Sequence, residues 1–164
     1  MKNQIFSFAL LFLIVGNGYA QRGLTKIPDT AVQAQLDSFV LPEGASINLF
    51  ASEPMVRQPI AMAFDDRNRL WVAECYTYAE ARTNFDLNLR DRIIILEDVN
   101  GDGRADKKTI FHDGLQRLTG LTVGFGGVWA TCAPNLLFIP DADKDDKPDG
   151  EPIVLLDGWN DNSV

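Results

Sequence analysis

Two nine-residue stretches carry the densest chemistry in the chain. Asp98-Val-Asn-Gly-Asp-Gly-Arg-Ala-Asp106 recurs 43 residues later as Asp141-Ala-Asp-Lys-Asp-Asp-Lys-Pro-Asp149. Oxygens at positions 1, 3 and 5, a backbone carbonyl at 7 and a carboxylate at 9 can converge on one hard cation such as calcium. The first set is Asp98, Asn100, Asp102, the Arg104 carbonyl and Asp106. The second is Asp141, Asp143, Asp145, the Lys147 carbonyl and Asp149. Gly103 at position 6 permits the sharp curl around an ion; Asp146 stands there in the second loop, which ranks it behind the first. Position 12 is Thr109 or Pro152 and no helical pattern flanks either loop, so these are not EF-hands. Asp, Asn and Gly also make solvated turns, but carboxylates this dense repel one another unless neutralised. The expected role of the ion is structural.

The catalytic candidates are fewer. Glu74, Tyr76 and Tyr78 follow a strand-like run, and Asn135 holds the matching place after the next one. A carboxylate, phenols and an amide at such a mouth suit hydroxyl-rich ligands. His112 stands alone beside Asp113, better read as a surface histidine than as a general base. Trp71 and Trp129, at matched strand positions, read as core. Cys75 and Cys132 follow those two strands and are either a disulfide or two buried thiols. No Ser/His/Asp set, phosphate-cradling glycine loop or CxxCH occurs, and two cysteines with one histidine are too few for a Cys/His zinc site.

Positioning these residues falls to short strands. Residues 1–20 read as a secretory signal peptide: Lys2, an apolar run from Ile5 to Val15, and Gly18 and Ala20 before a cut at Gln21. Residues 21–44 are a lead-in with a short helix capped by Asp29 or Thr30, its Val32, Leu36 and Phe39 on one face. From 45 to 164 the pattern is β. Runs at 46–51, 60–65, 69–74, 92–97, 108–112, 121–124, 127–131, 136–140 and 152–156 are separated by turn residues. Each acidic loop lies between the third and fourth strands of a four-strand repeat, closed by Asp113-Gly114 and Asp157-Gly158. The first repeat carries an insertion from Tyr76 to Asp91. Four strands per ~40–50 residues is the period of propeller blades. The expectation is an all-β chain: two blades of a β-propeller, cut from a longer protein, with the strand at 46–51 left without a partner. Loops of this kind are similar to the calcium hairpins of integrin-type propellers.

The 164 residues carry 15 basic and 23 acidic side chains, net −8, and −9 without Lys2. That charge, with no Lys/Arg cluster, argues against nucleic acid and against docking on anionic lipid. Export to the periplasm or cell surface is expected, with membrane association only through the signal or regions outside this chain.

Leu41-Pro42-Glu43-Gly44, Leu49 to Pro54, Pro59 to Asp65, Leu70 to Glu74, Arg92 to Asp98, Gly101-Asp102-Gly103 and Gly126 to Trp129 occur in that order. With them the chain resembles the N-terminal part of the exported proteins labelled putative membrane-bound dehydrogenase, or PVC-type haem-binding CxxCH proteins. The resemblance implies a six-bladed propeller like that of glucose/sorbosone dehydrogenases, pyrroloquinoline quinone (PQQ) as cofactor, and haem only in a C-terminal domain outside this chain. No residue here, His112 included, falls on the catalytic histidine motif of those enzymes. Two functions follow: part of a quinoprotein-type sugar or alcohol dehydrogenase, or a non-catalytic calcium-stabilised propeller binding carbohydrate or protein.

Overall fold

The computed structural model describes residues 7–10, 29–79 and 84–158. They fall into two compact units: residues 1–57 with 98–106, and residues 58–97 with 107–164.

In the first unit, α1 (Asp29–Leu36) buries Val32, while Phe39 lies past its end and is exposed. β2 (Ser46–Leu49) is shorter than the run expected there, and it is not unpaired. It aligns in parallel with β1 (Ser7–Leu10), which lies inside the apolar stretch read as a signal. A run of apolar residues serves as a strand as readily as an export signal when a partner is at hand. The rest of the signal segment lies outside the described residues. The loop Asp98–Asp106 belongs to this unit, fastened by the Ala105 N–H to the Phe50 carbonyl at 2.8 Å.

The second unit holds two antiparallel four-stranded sheets. One runs β3 (Pro59–Phe64), β4 (Leu70–Glu74), β5 (Asp91–Glu97), β6 (Lys107–Leu115). The other runs β7 (Leu118–Val123), β8 (Gly127–Cys132), β9 (Asn135–Pro140), β10 (Ile153–Leu156). Each is a meander, so every tight hairpin in the sequence becomes a neighbouring pair. β4 and β5 are apolar without alternation, and both faces of those strands are buried. Trp71, Ala73, Ile93, Ile95 and Phe111 of the first sheet form one core with Val128, Ala130, Leu137 and Ile139 of the second. Trp71 meets Phe111 edge-on at 4.9 Å. Trp129, half-buried, lies instead against Phe138.

Two boundaries differ from the expected ones for physical reasons. Asp113-Gly114 does not close the first sheet; it lies inside β6, which runs on to Leu115, and the turn is Gln116-Arg117. The irregular register of β5 with β6, where Ile93 faces His112 and Ile94 faces Ile110, absorbs Phe111. β7, expected at 121–124, begins earlier, at Leu118, and runs through Gly120. A Cβ there would stand 2.7 Å from Thr131 Oγ1, so glycine is what lets the two strands approach. Ile60, Met62 and Phe64 of β3, and all four residues of β10, leave apolar side chains exposed.

Candidate metal site

The hairpins β3–β4 and β7–β8 and the β9–β10 loop share one end of the second unit, and Glu74 lies at the far end of β4. Glu74 is fully buried. It accepts the Tyr76 hydroxyl at 2.7 Å and pairs with Lys108 Nζ at 3.3 Å. Arg92 lies over the Tyr76 ring. Asn135 opens β9 opposite Cys132 and shares no hydrogen bond with Glu74 or Tyr76 among the described residues. Tyr78 is exposed against Phe85. His112 is half-buried within β6 rather than at a strand end. Its Nδ1 accepts the Gly114 N–H, and burial lowers its pKa against the pull of Asp113 and Glu151. Trp159 lies outside the described residues. Cys75 and Cys132 are free, buried thiols.

The first acidic loop closes on itself. Asp98 Oδ1 accepts the N–H groups of Gly101 (2.7 Å) and Asp102 (3.2 Å), and its Oδ2 accepts that of Gly103 (2.8 Å). Asn100 accepts from Asp102, Asp102 from Arg104 and Asp106 from Val99. Gly103, at φ 86°, also accepts a hydrogen bond at its carbonyl from Asn48 Nδ2 at 2.6 Å.

The second loop repeats three of these bonds and differs at position 1. Asp143 accepts from the Asp145 N–H, Asp145 from Lys147, and Asp149 from Ala142. Asp141, the counterpart of Asp98, is only 5% exposed, and its Oδ1 has no hydrogen-bond partner. One oxygen each from Asp141, Asp143 and Asp145 lies within 4.8 Å of the others. Among the described residues no three carboxylates of the first loop meet that spacing, and position 3 there is the amide Asn100. Burial raises the pKa of Asp141, and the charges of Asp146, Asp145 and Asp143 add to the rise. A buried acceptor without a donor is costly, and three converging carboxylate oxygens can hold a hard cation. The geometry therefore favours the second loop, the reverse of the order that Gly103 suggested. Buried Asp91 shows the contrast. It accepts from Thr77 N–H, Thr77 Oγ1 and Leu118 N–H, so its charge is met by the chain itself.

Position 6 explains how the second loop keeps its shape. Asp146 takes the left-handed conformation, φ 68°, that glycine takes in the first loop. Its carboxylate is held by Arg69 and Arg67. Arg69 also reaches Asp65 at 2.8 Å, which in turn accepts Trp71 Nε1 at 2.9 Å. Arg69's hydrogen bonds lower the pKa of Asp146. For Asp65, burial pushes upward but the bonds from Trp71, Arg69 and Arg67 outweigh it, and the net shift is down. The arginines were not legible as site residues. The one hint was their spacing from Asp65 within a turn.

Among the described residues no helix is long and apolar enough to cross a membrane. No curated protein and no solved structure matches the chain. One family model does match, over residues 31–164, and on that match the chain belongs to the family described as Domain of unknown function (DUF7133).

Proposed function

We propose that the two sheets are successive blades of a β-propeller in an exported protein, and that this region is a non-catalytic scaffold stabilised by calcium at the β9–β10 loop. The orphaned, buried Oδ1 of Asp141 beside Asp143 and Asp145 carries the reading. The meander order and the packing of β7 on β3 and β4 support successive blades. The dehydrogenase alternative, with its PQQ and distant haem, draws on resemblance alone: Glu74 is closed off by Tyr76 and Lys108 rather than open to a substrate.

A ligand that binds only the folded state adds RT ln(1 + [L]/Kd). With a Kd of roughly 10⁻⁴ to 10⁻³ M, typical of extracellular sites, millimolar calcium adds about 1 kcal/mol. That corresponds to a rise in Tm of about 2–4 °C for a chain of this size. Thermal melts of the full chain in EGTA and in calcium, at constant ionic strength, test it. Asp145→Ala should remove the increment and Asp102→Ala should keep it. If calcium leaves the wild-type melt unmoved, the loop is a turn and the proposal fails.

A further inference from the structure

The central strands of the two sheets repeat one another residue by residue. Leu70 pairs with Leu96 and Trp71 with Ile95 in the first, as Val128 pairs with Ile139 and Trp129 with Phe138 in the second. Each sheet therefore has two matched faces. One is built on its tryptophan: Trp71, Ala73, Ile93 and Ile95 in the first sheet, Trp129, Thr131, Leu136 and Phe138 in the second. The other is aliphatic: Leu70, Val72, Ile94 and Leu96 in the first, Val128, Ala130, Leu137 and Ile139 in the second. Both indoles are set alike, each N–H turned to its own hairpin, Trp71 to Asp65 Oδ2 at 2.9 Å and Trp129 to the Gly124 carbonyl at 3.4 Å.

The tryptophan face of the first sheet packs on the aliphatic face of the second. That interface is head-to-tail, joining unlike faces and using one of each. The aliphatic face of the first sheet is already closed: Leu70, Val72, Ile94 and Leu96 are at most 1% exposed. The tryptophan face of the second is open. Trp129, Thr131, Leu136 and Phe138 are half-buried, and Ile153 and Leu156 of β10, which continue that face in register, are 50% and 57% exposed. The solvated side of an antiparallel sheet is ordinarily polar. Here β7, β8, β9 and β10 contain no charged residue, so the face offers a charged partner nothing to pair with and suits an apolar one.

We infer that this face receives the aliphatic face of a third sheet of the same repeat. The inference rests on the reading of the two sheets as successive blades and does not need the ion. The occupant follows from the interface already present. Val128, Ala130, Leu137 and Ile139 meet the surface that Trp71 leads, and the matched surface led by Trp129 takes the same complement. A second copy of the chain cannot supply it, because both aliphatic faces among the described residues are already buried.

The test inserts a second copy of residues 115–158 between Gly158 and Trp159 of the full chain, so that the join repeats Asp113-Gly114-Leu115. The inserted copy carries Trp129→Phe. Acrylamide quenching of the original Trp129 is then read as the difference from a protein with Trp129→Phe there too, in EGTA throughout. Its quenching constant should fall at least twofold from the natural chain to the extended one, and Tm should rise by about 5 °C or more. Ala130→Lys in the inserted copy, which puts charge on the aliphatic face, should cancel both effects. Unchanged quenching and Tm, or the same changes with Ala130→Lys present, would overturn the inference. The natural chain supplies a second measure. Leu136→Lys should move its Tm by less than about 2 °C, whereas the counterpart Ile93→Lys should abolish the folded state. A Leu136→Lys protein as damaged as Ile93→Lys would mean that the face is closed within the chain. A discrete dimer in sedimentation that Leu136→Lys splits would make a second copy the occupant. Either result overturns the inference. An Ile93→Lys protein as stable as wild type would instead sink the blade reading itself, and a docked third sheet without any calcium response would sink the metal proposal alone.

Discussion

Arg69 grips Asp146 with both arms of its guanidinium, Nη1 to Oδ2 at 2.6 Å and Nη2 to Oδ1 at 2.7 Å, while its Nε holds Asp65 at 2.8 Å. One side chain thus fastens the β9–β10 loop of the second sheet to the β3–β4 turn of the first. Its side chain is 7% exposed, and the two carboxylates 5% and 16%, so water screens little of the attraction.

Removing one partner of such a pair strands the others. Arg69→Met should cost about 3–5 kcal/mol in urea unfolding. Asp146→Asn keeps an acceptor for Arg67 and Arg69 and should cost less. Arg69→Met with Asp146→Leu should recover part of the loss, because no buried charge is then left opposite a methionine on that side. An Arg69→Met protein as stable as wild type would show that the network adds nothing.

The pH dependence carries two opposite signs. Asp65 and Asp146 have folded pKa values below their ordinary one, so their contribution is complete above about pH 4 and is lost as pH falls through the depressed values. Asp141 has a raised folded pKa. It costs stability at neutral pH, and the cost fades as pH falls through that value. In EGTA, Asp141→Asn should therefore be more stable than wild type at pH 7, with the difference closing toward pH 4. Taking the difference between the two proteins cancels His112, whose lowered pKa weakens the fold on acidification. Calcium should stabilise wild type and leave Asp141→Asn unmoved. A variant less stable than wild type in EGTA at pH 7 would contradict the repulsion.

Gly103 and Gly101 separate strain from collision. Both have positive φ, 86° and 80°. A Cβ at Gly101 meets nothing within 4 Å, whereas one at Gly103 stands 2.8 Å from Asn48 Nδ2. Gly101→Ala should cost about 1 kcal/mol. Gly103→Ala should cost clearly more, since Asn48 must also give up its bond to the Gly103 carbonyl. Equal costs in denaturant unfolding would mean that Asn48 yields freely.

The thiols should be silent. Burial raises the pKa of Cys75 and pushes Cys132 up to about 12, so thiolate is scarce at pH 8. Ellman's reagent should label neither in the native protein and both after unfolding in guanidinium without reductant. Unfolded protein that still gives no thiol would mean that the two cysteines are bonded.

The strand order of each sheet was legible because hairpin turns and apolar runs are local signals, and so was the pairing of each acidic loop with a third and a fourth strand. Boundaries failed where glycine served packing rather than turning, as at Gly114 and Gly120. The ligand sets were legible as spacing. Their ranking was not, because Asp146 looks like a poor glycine until Arg69 is beside it, and Arg69 is 77 residues away in the chain.

Position 6 of the two acidic loops also sets how freely each can drift. At residue 103 the demand is steric: the backbone angle is left-handed and a Cβ would stand 2.8 Å from the Asn48 amide, which would have to move aside. At residue 146 the same backbone angle is tolerated, and the demand is chemical, a carboxylate for two arginines. Saturation of the two codons should give opposite spectra, one favouring glycine and the other accepting shape changes more readily than loss of charge.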